Sequence, residues 1–474
     1  MTMKSYISIF ILVALLASCS KLVDDLNNDP NNLTESSYGT VLTGTEVGNI
    51  LLQTGETARR ASIFAGQYTG IDRQHLGFSQ YSVTTSDFDA LWNDAYVNAF
   101  RNALIAEETA LNDDIGPVAQ GISLVLQAQI AGTIASLYGD MPFDEAGNVA
   151  ITDPIFEGQE TVYGKIQNTL DTAITLLAEG TGKPSAGSDI YLDGDANAWI
   201  EVAYTLKARF YLHTKNYQGA LAAASNGISS MDNSLYGPHG TAAENSNLNY
   251  QFFAIEVRQA DVVVSDFMAS LVDPNVGNPI PSNYRGNAKT DETGRYNFLF
   301  TTNSTGIQPN ISNGFAAQDA PAPLVTYEEN LLILAEAGFR VNGFDAGLSY
   351  LNDFRAFMNT GGYLRNVDPA QVLYEPYVSA DFETGGMENP DNISQNNALL
   401  REILEERYVT LFGLIEPFND TRRTLGETVV RVPITPNTGS QLPQRFLYPQ
   451  SEIDRNTNVP DPIPNFFDKT PVNQ

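Results

Sequence analysis

Apolar residues recur three and four places apart in five separate stretches of this chain: 163–177, 198–213, 217–228, 327–339 and 398–412. That spacing draws one apolar stripe down a helix and has no counterpart along a strand, so the chain is predicted to be mainly α. A striped helix needs a neighbour to cover it, and two helix pairs supply one. The stretch 198–213 turns at Thr214-Lys215-Asn216 into Tyr217-Gln218-Gly219-Ala220-Leu221-Ala222-Ala223-Ala224, whose small side chains let two helices approach closely. A second pair runs 331–340, turns at Asn342-Gly343, and continues as 345–357, with Ala335, Ala337 and Ala346 in the small positions. Both resemble tetratricopeptide units, which cover their apolar faces by stacking; two antiparallel helices of any bundle would show the same pattern. Long Gly-, Asn-, Pro- and Thr-rich stretches interrupt the helices. The largest, 230–318, holds Pro238, Pro274, Pro279, Pro281 and Pro309, and loops of that length carry function or irregular structure of their own.

The amino terminus limits where such a body can reside. Lys4 precedes an apolar run over 7–16, then Leu16-Ala17-Ser18-Cys19. A basic start, about ten apolar residues and small residues before a cut describe a secretory signal over 1–18, too short for a permanent span. Cys19 is the only cysteine; its position is that of the acylated first residue of a bacterial lipoprotein, held to a membrane by lipid. Residues 19–33, rich in Asp and Asn with Pro30, read as a tether, and 34–474 as one globular domain. No later stretch reads as the eighteen or so apolar residues of a membrane helix. Without disulfides, stability must come from burial, which a chain this long supplies.

Lys and Arg number 26 against 56 Asp and Glu, a formal charge of −30. Such a surface lacks the basic face that phosphates require, which excludes nucleic acid as a partner, and it suits salty water, where screening relieves self-repulsion. Catalytic machinery is not evident. His75, His213 and His239 have no metal-site spacing, so no metal or cofactor is expected. Gly182-Lys183 lacks the rest of a phosphate loop, and Asp193-Gly194-Asp195-Ala196-Asn197 fails as a calcium loop at Ala198 and Tyr204, leaving Asp195 or Asn197 to cap the following helix. The adjacent acids Glu107-Glu108, Asp113-Asp114 and Glu405-Glu406 point apart on a helix and read mostly as solvated faces. Near the C-terminus, Glu406-Arg407, Glu416, Asp420, Arg422 and Arg423 read as an ion-pair network closing the last helix onto the body.

Several motifs in order resemble the SusD/RagB outer-membrane lipoproteins: the lipobox followed by Asn28-Asp29-Pro30-Asn31-Asn32, Trp92 and Tyr96 leading to Arg101-Asn102, Tyr138-Gly139-Asp140-Met141-Pro142-Phe143, the Ala335-Glu336-Ala337 helix, Glu406-Arg407 through Asp420 to Arg422-Arg423, and Arg445-Phe446-Leu447-Tyr448-Pro449. The resemblance implies a tetratricopeptide-like scaffold with an irregular, loop-rich, ligand-binding half. It also implies a non-enzymatic protein, lipid-anchored on the outer face of the Bacteroidota outer membrane, that passes glycan to a SusC-like TonB-dependent transporter. Saccharide rings lie on aromatic side chains while their hydroxyls need polar partners. Two loop segments offer both: 68–81, which occupies the place of the family's ligand-contacting loops, and 283–298. From them, His75, Phe78, Tyr81, Tyr284 and Tyr296 are stacking candidates, and Asp72, Arg73, Asn283 and Arg285 polar contacts; burial in the core competes with ligand contact for each aromatic. Trp92 and Trp199 are assigned to the core. A peptide-binding scaffold and a surface glycoside hydrolase are the rival readings.

Overall fold

The computed structural model describes residues 36–148, 150–275 and 282–474; the signal segment, Cys19 and the tether lie outside the described residues. Helices dominate: α1 (Tyr38–Thr54), α2 (Glu56–Phe64), α3 (Arg101–Asn112), α4 (Pro117–Tyr138), α5 (Gln159–Leu177), α6 (Ala196–His213), α7 (Tyr217–Ala224), α8 (Tyr327–Asn342), α9 (Phe344–Asn359), α10 (Gln395–Thr410) and α11 (Glu416–Arg423). Each of the five periodic stretches is helical, although 217–228 stops at Ala224. Asp195 caps α6, its carboxylate accepting from the amides of Asn197 and Ala198.

The helix pairs form as their small residues require. Ala208 and Leu212 of α6 pack with Ala220, Ala223 and Ala224 of α7, and Ile333 and Ala337 of α8 join the same apolar cluster, so the first pair stacks on the second. Between α8 and α9 the chain reverses at Gly343, whose φ of +84° a side chain would resist. Trp92 and Trp199 are both buried, the latter donating its indole N–H to Asp189 at 2.7 Å.

Helix α4 corrects one expectation. It is long and apolar enough to cross a membrane, yet 94% of that apolar window is buried inside the protein, so it is a central core helix. Buried on nearly every side, it carries no amphipathic period to announce it. α1 is hidden for a different reason: its buried residues mix Tyr38, Leu42, Ile50 and Leu52 with polar Thr45, Glu46, Asn49 and Gln53. Asn49 donates to Gln129 at 3.0 Å and Gln53 to Thr133 at 2.9 Å, a pair of buried polar contacts onto α4.

The described parts of 230–318 fold into short irregular pieces rather than one open loop. β2 (Leu235–Gly237) pairs antiparallel with β4 (Ala322–Val325), and β1 (Tyr68–Gly70) with β3 (Val262–Val264), Tyr68 facing Val264 and Gly70 facing Val262. The C-terminal charges form the network expected of them except at Arg422, which donates to the carbonyl oxygens of Phe418, Ser136 and Gln444 instead of to a carboxylate. Arg423 grips Glu336 through two 2.6 Å bonds and Asp420 through one of 2.7 Å, tying α11 to α8, while Arg407 of α10 reaches Asp420 at 3.1 Å. Glu406 and Glu416 are buried in this region rather than solvated, because arginines and His213 surround them.

Candidate ligand site

The chain turns back between Asn287 and Thr290, and the amide of Arg285 donates to Leu271 O at 3.0 Å. Its side chain runs inward to α10, meeting Glu402 at 2.9 and 3.0 Å and Glu406 at 2.5 Å, with Glu405 at 3.5 Å and Glu292 at 3.6 Å. Tyr284 beside it stays half-buried. The ring lies over Gly286: a Cβ there would fall 2.2 Å from the Tyr284 hydroxyl oxygen and would displace the ring. Asn283 donates to Ser270 at 2.6 Å, and Asn287 to Glu388 at 2.5 Å, which also accepts from Tyr377 at 2.6 Å.

These residues form one wall of a cavity of about 370 Å³, the size class of small-molecule sites. Arg401, Glu402 and Glu405 of α10 make the floor, and Val429 and Arg431 the opposite side. Arg401 is braced on Asp391 at 2.7 Å. Burial pushes Glu402 up to about 8, with Glu388 and Glu406 adding repulsion and Arg285 opposing it. Burial likewise pushes Glu405 up to about 7 and the Tyr284 phenol up to about 12. For Glu406 burial pulls the same way, but Arg295 and Arg285 outweigh it and hold that carboxyl down at about 2. The cavity sets the guanidinium groups of Arg401 and Arg431 beside the carboxyl groups of Glu388 and Asp391, a mixture that matches hydroxyl groups able to give and take hydrogen bonds.

The two predicted ligand segments do not meet: the cavity takes Asn283, Tyr284 and Arg285 from one and nothing from 68–81. Arg285 is committed to glutamates, so it builds the cavity wall instead of offering a free guanidinium. His75 and Phe78 depart from their stacking assignment because both are buried: His75 sits edge-on between Phe78 and Phe252, and Phe78 lies under the Arg60 guanidinium at 4.1 Å. Asp72 and Arg73 are exposed beside the β1–β3 pair, Arg73 3.7 Å from Asp261. Tyr81 is half-buried against Phe466 and Phe467, with its hydroxyl accepting from the Asn437 amide at 3.2 Å. Tyr296 packs on Phe300, its hydroxyl 3.2 Å from that of Thr302. Sequence reading missed Arg401, Asp391, Glu405 and Arg431. The i,i+4 spacing of Arg401 and Glu405 does place both on one face of α10 and could have flagged them. Among the described residues, no group of three or more His, Cys, Asp or Glu side chains converges on a metal position.

A helical tetratricopeptide-like scaffold carrying a polar, tyrosine-flanked cavity defines the general class of substrate-binding protein. Residues 30–449 match the SusD-like family described as "Starch-binding associating with outer membrane", and the chain belongs to that family. Its fold is similar to a SusD/RagB family protein of Bacteroides thetaiotaomicron (20% identity, 90% of this chain and 95% of that one, TM-score 0.67) and a SusD homologue of Bacteroides fragilis (17%, 93% and 100%, 0.68). It is also similar to a chitin-binding SusD homologue of Flavobacterium johnsoniae (16%, 92% and 97%, 0.63). No curated protein sequence matches it.

Proposed function

We propose that the protein captures oligosaccharides at the outer membrane and delivers them to a SusC-like TonB-dependent transporter, anchored through acylated Cys19, exposed at the cell surface and performing no chemistry on its ligand. The carrying observation is the cavity of about 370 Å³, where the Tyr284 ring stands beside donors and acceptors suited to hydroxyl groups. Family membership and the chitin-binding neighbour support a glycan as its occupant. Uptake needs release as well as capture, so affinity should lie between about −4 and −8 kcal/mol, millimolar to micromolar. Asn283, Asn287, Arg401 and Arg431 also suit a peptide backbone, which keeps peptide uptake as the second reading. Calorimetry of the mature protein against a glycan panel and mixed peptides decides between them. Binding to at least one glycan, weakened tenfold or more by Tyr284→Ala, supports capture of saccharide; silence to all glycans with binding to peptides overturns it. Reducing ends released by the purified protein would contradict a purely binding role.

A further inference from the structure

A second cavity, of about 50 Å³, lies between β2, the first turn of α8 and the segments following α9 and α10. Phe298, Phe315 and Phe412 contribute apolar walls, with the Tyr236 ring. Two buried polar atoms in this apolar setting have no hydrogen-bond partner: Oε2 of Glu328 and the hydroxyl of Tyr363. The other oxygen of Glu328 is occupied, accepting from Tyr236 at 3.2 Å. Arg365, exposed and 5.5 Å from the Tyr236 ring, stands at the rim and connects the cavity to the surface.

Each orphan costs stability of a kind proteins avoid, and two lining one apolar pocket point to a ligand that completes them. The ligand must bring a donor for the carboxyl oxygen, an acceptor for the phenol and apolar bulk for the walls. With one water-sized group per roughly 10–15 Å³, the space holds about four such groups. An acetamido group has four heavy atoms and all three properties: its N–H donates, its carbonyl accepts, and its methyl fills the aromatic end. A bare ammonium would meet Arg365 at the rim and leave the phenol without an acceptor, and a lone hydroxyl would leave the walls unfilled.

We propose that this cavity is a subsite for the acetamido group of an N-acetylated aminosugar, with Glu328 accepting from the amide N–H and Tyr363 donating to its carbonyl. The proposal rests on the saccharide reading for the sugar that carries the group, and its cavity shares no lining residue with the one at Tyr284. Burial, opposed in part by Thr326 and Tyr236, pushes the Glu328 carboxyl up to about 7, so it accepts as a carboxylate most fully in mildly alkaline buffer.

Saturation-transfer NMR and calorimetry on the mature protein test it, using methyl N-acetyl-β-glucosaminide, methyl β-glucoside and glucosamine as probes. The acetamido sugar should bind at least tenfold more tightly than the other two, with its acetyl methyl receiving the strongest saturation. Tyr363→Phe, which removes only the unpartnered hydroxyl, should weaken it at least fivefold without lowering thermal stability, and Ala320→Leu, which fills the cavity from its lining, should abolish the preference. Equal affinity for the three probes, or an acetyl preference untouched by both substitutions, overturns the assignment. Tyr284-dependent binding of glycans that lack acetamido groups would sustain the capture reading even then.

Discussion

Replacing Glu336 by Gln tests the network that fastens the last helices to the scaffold. Glu336 is fully buried and takes two 2.6 Å bonds from Arg423 and one of 2.8 Å from Arg340, with Arg407 3.8 Å away. Glutamine preserves volume and removes one charge. Arg340 keeps Glu427 at 3.0 Å, but Arg423 and Arg407, both buried, would share Asp420 alone. Arginine does not shed its proton, so the uncompensated charge persists in the interior, and breaking a buried pair in this way costs about 3–5 kcal/mol. Total stabilities of about 5–15 kcal/mol make that a large fraction. Urea unfolding followed by the fluorescence of buried Trp92 and Trp199 measures it. The more exposed pair of Lys165 and Asp144, at 2.5 Å, supplies the contrast: Asp144→Asn should cost less than about 1 kcal/mol. The arginines hold the Glu336 carboxyl below its usual range, so its contribution is present above the unfolded value near 4.5 and lost as pH falls beneath it. The gap between wild type and Glu336→Gln should therefore narrow below about pH 4. A loss under about 1 kcal/mol at pH 7 would refute the reasoning.

Gly286→Ala places a methyl on the Tyr284 ring and should lower glycan affinity about tenfold in calorimetry, while the circular dichroism spectrum is retained. Phe78→Ala should cost about 3–5 kcal/mol in urea unfolding and leave glycan affinity unchanged, since the ring is core; weakened binding in a fully folded variant would restore it to the site. Glu402, Glu405 and Glu328, raised to about 8, 7 and 7, carry protons in the folded state that the unfolded chain has released, so stability should fall between about pH 5 and pH 8. A flat or rising urea midpoint across the window counts against it. Cys19→Ala should abolish metabolic palmitate labelling and release the protein from the membrane fraction.

What the sequence made legible follows from which faces were amphipathic. α5, α6, α8 and α10 border solvent or loops on one side, so their periodicity survives, and Asp195 announces the start of α6. α4 is buried on nearly every side and α1 mixes polar with apolar residues on its buried face, so neither produces the pattern that a stripe search seeks. At the site, composition identified a segment rich in Tyr, Asn and Arg, but neighbours in sequence were sent to opposite fates: Arg285 into a cluster of glutamates, Tyr284 to the cavity beside it. His75 and Phe78 looked like ligand contacts because their loop is polar. They are instead the apolar underside on which Arg59 and Arg60 rest, Arg60 over Phe78 and Arg59 over the adjoining Phe252. Long-range partners such as Asp391, Arg401 and Arg431 come together only once α10 is packed, and no local spacing declares where that packing leads.

Hydrogen exchange of the mature protein, with and without a saturating bound oligosaccharide, tests the central claim most directly. Capture at the Tyr284 cavity predicts slowed exchange in 282–287 and along the Asp391-to-Glu405 face, with 68–81 unchanged. Protection confined to 68–81, or protection by peptides and never by a saccharide, would contradict it.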